Sequence, residues 1–500
     1  MLGPQKKPTE KLFYYNLSLE KRIPQDHILR RVAEVIDFGF VRQKVAQYYG
    51  YNGHKSEDPI VIMKLMFLLF FEDVKSEREL LRTLPMRLDW LWFLGLDLDS
   101  EGPHASVLSK ARRRWGAEVF EELFVQVVRL CVEAGLVEGS KIHLDGSLVN
   151  ANASQKSVIC GSAELIEVLK GSYRQQEGKL EAVEEPSGAK GKEKKNRRLV
   201  SRTDPDAAIV KQSPRSHSQA RYKNHRAVDD DRGVITAVET TSGDVEENRE
   251  LKELYRQHAD NTGQSAQTVV ADGQYGTHEN FAWCASHGVG AHMADGMAKR
   301  SSPVFGPQEF QFDEEKDCYW CPAGKALRRV PVKKPGKRKR WVYRMPAKVC
   351  RECELKPQCT RSGRYGRKLY RYEQQEAMDR ARAQSYSPQA YRDRRRRKYL
   401  MEGSFADAAN NHHFKRARWR RLERQRMQDY LVAACQNIRI LLRHAPRQMT
   451  GVAVGGFSTT FRLYTVLGRQ LRADLLHFRK CFRSDQLDTA EYSLPMGSAV

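Results

Sequence analysis

Residues 139–296 alternate between strand-like and helix-like segments, and this alternation limits the fold of the chain more than any other feature. Strand patterns at 141–150 (KIHLDGSLVN) and 267–276 (QTVVADGQYG) enclose a pair at 221–230 and 234–243, which Asp-Arg-Gly joins as a β-hairpin. Helical patterns follow at 245–258 and from about His278, before a last strand near 289–294. The order predicts an α/β fold, a mixed sheet with flanking helices.

The segments on either side of this sheet are different in kind. Residues 1–138 read as an all-helical N-terminal domain, with helix starts at Asp58-Pro59 and near Ser76. Inside the sheet region, a charged stretch rich in Gly and Lys predicts a flexible insertion at about 165–215. A cysteine-rich basic insertion at 297–386 interrupts the sheet domain, helices of the same domain return at 387–446 with a start signal at Ser387-Pro388, and a tail of 447–500 ends the chain.

The net charge indicates the kind of partner. A formal charge of +24, with an isoelectric point of about 9.6, attracts phosphate backbones and favours nucleic-acid binding. The N-terminus has no apolar run behind its lysines, and the longest apolar stretch, 60–71, is too short to cross a bilayer. We therefore expect a cytoplasmic protein with no membrane partner.

Two aspartates end strand-like segments, and each is followed by glycine. Asp145 lies in KIHLDGSLVN and Asp272 ends VVAD. A buried, unpaired carboxylate is unfavourable, but two carboxylates at neighbouring strand ends are suitable ligands for a pair of hard divalent cations. Such a pair catalyses displacement at a phosphodiester. Asp-Gly is also a common turn dipeptide, so each occurrence alone is weak evidence.

Three segments carry a resemblance to a known family. KIHLDGSLVNANAS and VVADGQYGTHENF resemble the first- and second-aspartate segments of bacterial insertion-sequence transposases of the DDE class. EGSFADAANNHHFKRARWRRL, followed by YLVAACQNIRILL, resembles the segment with their catalytic glutamate, here Glu402. The N-terminal region resembles the helical domain of the same group, and the match extends over most of residues 12–445.

The resemblance implies an RNase H-like catalytic core in which Asp145, Asp272 and Glu402 hold Mg²⁺ or Mn²⁺, with Asp145 bridging two ions. It implies binding of double-stranded DNA at terminal inverted repeats, cleavage at the transposon end, and attack of the freed 3′-hydroxyl on target DNA. A homodimer on DNA follows from the need to pair two ends, and the helical domain is expected to bind DNA. The cytoplasmic location would then be bacterial, at the nucleoid.

The third carboxylate is the least secure of the three. Glu373 and Glu376 are alternatives to Glu402 by spacing. The neighbours of Glu402 also depart from the family, because Arg395, Lys398 and Ala409 stand where a tyrosine, an arginine and a lysine are usual. Arg395 and Lys398 keep a basic character, and Lys415, Arg416 or Arg418 could supply the missing phosphate contact. These departures leave open a second interpretation, a transposase-derived DNA-binding protein without catalytic activity.

Five of the ten cysteines cluster in the basic insertion. Cys318 and Cys321 form one C-x₂-C pair and Cys350 and Cys353 form another, which is the ligand pattern of a structural zinc ribbon. Cys359 is a fifth candidate. The sequence therefore predicts a possible structural Zn²⁺ on the first four, with reduced thiols in a small core as the alternative.

Overall fold

The N-terminal helices pack around one strongly apolar helix. The computed structural model describes residues 18–50, 56–100, 102–175, 198–294, 304–331 and 340–444. The N-terminal part of these residues forms α1 (Leu19–Arg22), α2 (Ile28–Val35), α3 (Phe40–Val45), α4 (Pro59–Phe71), α5 (Glu77–Thr83), α6 (Leu88–Leu94), α7 (Ala105–Trp115) and α8 (Glu118–Glu133). As predicted, α4 begins with an Asp58 cap followed by proline, and α5 with a Ser76 cap.

The central sheet is mixed. Its strands are β1 (Lys141–Asn150), β2 (Val158–Gly161), β3 (Arg198–Ser201), β4 (Ala208–Val210), β5 (Gln219–Asp229), β6 (Ile235–Ser242), β7 (Thr268–Ala271) and β8 (Gly290–Met293). The order is β2-β3-β4-β5-β1-β7-β8, with β6 paired to β5. The predicted hairpin is β5–β6, β1 is antiparallel to β5, and β1, β7 and β8 run parallel.

The predicted flexible insertion is partly ordered. Helix α9 (Ala163–Gln175) and strands β3 and β4 fall within or across 165–215 and extend the sheet beyond β5. Residues 176–197 lie outside the described residues, as does the predicted tail from 447. Helices α10 (Leu251–Thr262) and α11 (His278–Ser286) follow β6 and β7 and cover the sheet.

The cysteine-rich segment forms a second sheet. Strands β9 (Gln311–Asp313), β10 (Cys318–Trp320), β11 (Ala326–Val330), β12 (Arg340–Arg344) and β13 (Lys368–Tyr372) are ordered β13-β12-β11-β10-β9. Helices α12 (Ala347–Arg351) and α13 (Lys356–Cys359) lie between β12 and β13. The next helix, α14 (Gln375–Ser385), buries Met378 and Ala381 in the core under the central sheet, so the second sheet ends before the expected boundary at 386.

Two long helices complete the structure. Helix α15 (Pro388–Asn411) begins at a Ser387 cap followed by proline, as predicted, and α16 (Leu422–His444) follows it. Most residues of α16 are buried, because the helix packs against α8 and α4 on one side and against β6 on the other. One hydrophobic core therefore contains residues of the N-terminal helices, the central sheet, α15 and α16. Within the described ranges, no helix has the length and apolar character needed to span a membrane.

Candidate active site

Asp145 lies within β1 and Asp272 directly follows β7, and these two strands are adjacent and parallel. The register of β1 and β7 pairs His143 with Val270, and two further residues along each strand lead to Asp145 and Asp272. Neighbouring strands lie about 4.8 Å apart, so the two side chains leave the sheet next to each other. Asp272 follows the end of β7, but Asp145 lies inside β1 rather than at its end, so the parallel register of the two strands is what makes them neighbours.

Asp145 forms an ion pair with an arginine side chain. Its Oδ1 accepts a hydrogen bond from the backbone N–H of Gly146 at 2.9 Å, and its Oδ2 accepts one from Arg397 Nη1 at 2.8 Å. Burial raises the pKa of Asp145 above its usual range, Arg397 opposes the rise, and the charge of Asp272 adds to it. A second positive charge near Asp272 would stabilise both ionised carboxylates.

The side chain of a third acidic residue, Glu247, lies close to the backbone beside Asp145. It lies in a short 3-10 turn after β6, and a Cβ added to Gly146 would come within 2.8 Å of its Cδ. Lys223 Nζ is 3.6 Å from Glu247 Oε1, and both side chains are mostly buried. Burial raises the pKa of Glu247, Lys223 opposes this, and the charges of Asp145 and Asp272 add to the rise. Sequence reasoning missed Glu247 because its segment reads as the start of an ordinary amphipathic helix.

Glu402 lies on α15, and the charged side chain paired with it is Lys398 of the same helix. Its side chain is 70% exposed and its Oε1 is 4.0 Å from Lys398 Nζ, one helical turn away. The alternatives Glu373 and Glu376 are exposed as well, and Glu376 accepts a hydrogen bond from Arg371 at 2.8 Å. Across the part of the chain that the structure describes, no three His, Cys, Asp or Glu side chains are close enough together to hold a metal ion. The predicted triad is therefore not assembled in this structure.

Helix α15 is docked on the sheet beside the two aspartates. Asp393 accepts hydrogen bonds from Lys141 Nζ at 2.9 Å and lies 2.7 Å from His292 Nδ1, which ties the helix to β1 and β8. Arg397 follows one turn later and reaches Asp145. These buried contacts fix the face of α15 that carries Arg397 towards the sheet.

The basic residues predicted to bind DNA have different surroundings. Arg395, Lys398 and Arg416 are exposed. Lys415 donates to Ser147 Oγ at 2.7 Å, two residues along β1 from Asp145, and burial lowers its pKa. Arg418 instead hydrogen-bonds backbone oxygens at the end of α4 and lies over the ring of Phe70, 4.6 Å from the ring centre. Arg418 thus joins two parts of the fold.

An open cleft lies beside the loop that follows Asp272. It has a volume of about 510 Å³, and its walls are the turn that contains Glu247 and the loop that leads from Asp272 into α11. Arg249 and Lys252 lie in this cleft, and each is paired with an acidic residue that also lines it, Arg249 with Glu246 at 3.8 Å and Lys252 with Glu279 at 3.2 Å.

The cysteines are grouped differently from the sequence prediction. Cys321, Cys350, Cys353 and Cys359 line one small cavity beside the second sheet. Cys318 is buried on β10 and is not among the residues that line it. The chain segment between the two cysteine pairs contains residues 332–339, which lie outside the described residues.

Comparison with known proteins supports one family. Residues 17–114 match a family model described as a transposase domain (DUF772), and residues 320–442 match one described as a transposase DDE domain. Both are transposase domains. The second match contains Glu402 and the four cavity cysteines, whereas Asp145 and Asp272 lie between the two matches.

Two further comparisons are less informative. No curated protein matches the chain. Among solved structures, a similar chain is the piggyBac transposase in a cryo-EM structure of its synaptic complex with hairpin DNA. It is 12% identical, with a TM-score of 0.32, and the alignment covers 95% of this chain and 85% of that chain.

Proposed function

We propose that the chain is a metal-dependent DDE transposase that binds the terminal inverted repeats of its own transposon, cleaves their ends and joins them to target DNA. The observation that carries the proposal is the placement of Asp145 within β1 and of Asp272 just after β7, two adjacent parallel strands. The two transposase domain matches on either side of these strands support it.

The strand order supports an RNase H-like core. Strands β6, β5, β1, β7 and β8 are neighbours in that order, with β1 antiparallel to β5 and parallel to β7. That arrangement agrees with the first aspartate on the first strand and the second aspartate after the next parallel strand. Bacterial origin, a nucleoid location and a homodimer on DNA belong to the same proposal.

The donor atoms fit a hard divalent cation. Asp145 and Asp272 present carboxylate oxygens, the ligands that Mg²⁺ and Mn²⁺ prefer, and their mutual repulsion favours a cation between them. When bound, such an ion stabilises the charge that develops on the attacked phosphate. Arg397 already provides one positive charge at Asp145 Oδ2 and would position that carboxylate.

Two glutamates compete for the third position. Glu402 lies in the segment that resembles the family motif. To reach the aspartates, its side chain would have to move away from Lys398. Glu247 lies near Asp145, since its carboxylate is against Gly146. Burial raises the pKa of Tyr275, and the charges of Glu247, Asp145 and Asp272 add to this rise. We propose Glu402 as the third ligand and Glu247 as its testable rival.

The exposed cations would hold the DNA backbone. Arg395, Lys398 and Arg416 are exposed and could contact phosphates, and Lys415 donates to Ser147, two residues along β1 from Asp145. Arg418 is proposed as an anchor between domains.

The experiment uses duplexes made from the DNA that flanks the gene for this chain, incubated with purified protein in Mg²⁺ or Mn²⁺. Nicking is measured on denaturing gels, and joining to a supercoiled plasmid is measured with pre-cut duplexes. We expect Asp145→Asn and Asp272→Asn to bind the duplex and to lose cleavage by at least about 100-fold. Glu167→Gln, an exposed carboxylate on α9, is the control that should retain activity.

The two glutamates are distinguished in the same assay. Loss of cleavage in Glu402→Gln with activity retained in Glu247→Gln supports the proposed triad, and the reverse result replaces Glu402 by Glu247. A protein that binds the duplex but never nicks it in either metal would be the inactive DNA-binding descendant. That second candidate is favoured by the unassembled triad among the described side chains.

A further inference from the structure

The second sheet, formed by β9 to β13, has a buried apolar core that is small for five strands. Six residues make up its buried apolar cluster: Phe310, Tyr319, Leu327, Tyr343, Met345 and Leu369. A cluster of this size contributes little stability, and small domains commonly need a metal ion or a disulfide in addition. Every cysteine in the described part of the chain is a free thiol, so a disulfide does not supply this stability.

Four of the thiols surround one space beside that core. Cys321 follows β10, Cys350 lies in α12, Cys353 follows α12, and Cys359 ends α13. All four line a cavity of about 30 Å³.

The backbone around two of these sulfurs is arranged to stabilise a thiolate. Cys321 Sγ accepts a hydrogen bond from the N–H of Lys325 at 3.4 Å, across a turn that Gly324 closes with a φ of +69°. Cys350 Sγ accepts one from the N–H of Arg367 at 3.5 Å. Hydrogen bonds to the ionised form favour that form, and thiolates are the metal-binding form of cysteine.

A glycine sets the second of these contacts. A Cβ at Gly366 would lie 2.1 Å from the backbone oxygen of Met345, so a side chain there would clash with the chain just before α12. The glycine therefore lets the loop before β13 approach α12 closely, which brings Arg367 to Cys350. Arg367 also donates to the backbone oxygens of Cys359 at 2.7 Å and Phe305 at 2.6 Å, and so connects both sides of the cavity.

We propose that Cys321, Cys350, Cys353 and Cys359 bind one structural zinc ion that fastens α12 and α13 to the β10–β11 hairpin. Soft thiolates select zinc over Mg²⁺ or Ca²⁺, and four of them close a tetrahedral shell with Zn–S distances of about 2.3 Å. Binding exchanges the thiol protons for zinc without oxidation. The described side chains do not yet stand at ligand spacing, so binding draws the four sulfurs inward around the cavity.

The ligand set differs from the one that spacing suggests. Residues three apart at the end of a strand do not share a face, because successive side chains alternate. Cys318 therefore leaves β10 on the side away from Cys321, and Cys359 completes the four. The resulting charge of about −2 for zinc with four thiolates is balanced by the basic surroundings, Arg367 first among them.

The test measures zinc in the purified full chain and in serine variants by mass spectrometry of the metal. We expect about one zinc per chain, its loss in Cys359→Ser and Cys353→Ser, and its retention in Cys318→Ser, the matched control from the same domain. Cobalt in place of zinc should give the absorption of a tetrahedral thiolate site. Zinc lost from Cys318→Ser but kept by Cys359→Ser, or no zinc in a fully reduced wild-type chain, would overturn the proposal.

A second measurement needs no variant and so does not depend on how the variants fold. Wild-type protein is alkylated with iodoacetamide before and after chelation, and the labelled cysteines are located by peptide mass spectrometry. We expect the four cavity cysteines to be protected until the metal is removed, whereas the exposed Cys160 is labelled in both samples. Equal labelling of Cys359 with and without chelator contradicts the site. Neither measurement depends on transposase activity.

Discussion

Arg226 is a buried cation that joins three elements, and its replacement by methionine should destabilise the fold by a calculable amount. The side chain is 1% exposed, and its guanidinium donates to Asn224 Oδ1 at 3.0 Å, Ser404 Oγ at 2.9 Å and Gln436 Oε1 at 3.1 Å. These partners lie on β5, α15 and α16. Losing one partner of a buried charge network costs about 3–5 kcal/mol, so we expect Arg226→Met to lower the free energy of unfolding by that amount.

Asp429 on α16 provides the internal check. Thr240 Oγ1 donates to its carboxylate at 2.7 Å, burial raises its pKa from 3.8 to about 6, and Arg226 is among the groups that oppose the rise. Each single variant leaves the other charge without its neighbour. We therefore expect Arg226→Met and Asp429→Asn together to cost less than the sum of the two by about 1–3 kcal/mol.

The same pair predicts a pH dependence. A carboxyl group with a raised pKa in the folded state reduces stability as pH rises from its unfolded value of 3.8 to its folded value of about 6. Removing Arg226 raises the folded pKa of Asp429 further, so the loss continues to higher pH. The cost of Arg226→Met should consequently be greater at neutral pH than near pH 5, and Asp429→Asn should abolish that difference.

The assay is urea unfolding of the full chain, followed by tryptophan fluorescence and circular dichroism at both pH values. Arg392→Met, an exposed arginine on α15, is the control and should change stability by less than about 0.5 kcal/mol. The reasoning is refuted if the double variant is additive within about 0.5 kcal/mol and the cost of Arg226→Met is the same at both pH values.

Three further predictions concern α15, DNA binding and the carboxylates. Ser387→Ala should lower the free energy of unfolding by about 1 kcal/mol, measured by urea unfolding, because the α15 N-cap is lost. Lys398→Ala should reduce the slope of log binding constant against log salt by about 1 in a DNA titration, whereas Arg418→Ala should destabilise the fold and leave that slope unchanged. Burial raises the pKa values of Asp145 and Glu247. Because protonated carboxyls release the metal, metal-dependent cleavage should fall as pH decreases from neutral. A flat pH profile would contradict this.

The sequence was sufficient for the elements whose signals are local. Caps followed by proline predicted the starts of α4 and α15, and alternation with a short polar turn predicted the β5–β6 hairpin. Asp145 and Asp272 could be paired because both lie in strand-like segments of the sequence, although in the structure only Asp272 follows a strand end and Asp145 lies within β1. In these cases, neighbours within a few residues determine the structure.

Contacts between distant residues were not accessible in the same way. Glu247 is polar among polar neighbours, and only the fold brings it against Gly146. Arg418 looked like a phosphate ligand because its segment is basic, yet its partners are backbone oxygens more than 300 residues earlier in the chain. Spacing could suggest that four of five cysteines share a site, but only the fold shows that Cys359, at the end of α13, lines the cavity and that Cys318 does not.

The burial of α16 between the N-terminal helices and the central sheet has a consequence during synthesis. The apolar helix α4 emerges from the ribosome long before residues 422–444 exist to cover it. At translation rates of about 5–20 residues per second, that interval lasts roughly tens of seconds. During this time the nascent N-terminal region exposes an unfinished apolar surface, so its folding yield should depend on chaperones that hold it until the last helix arrives.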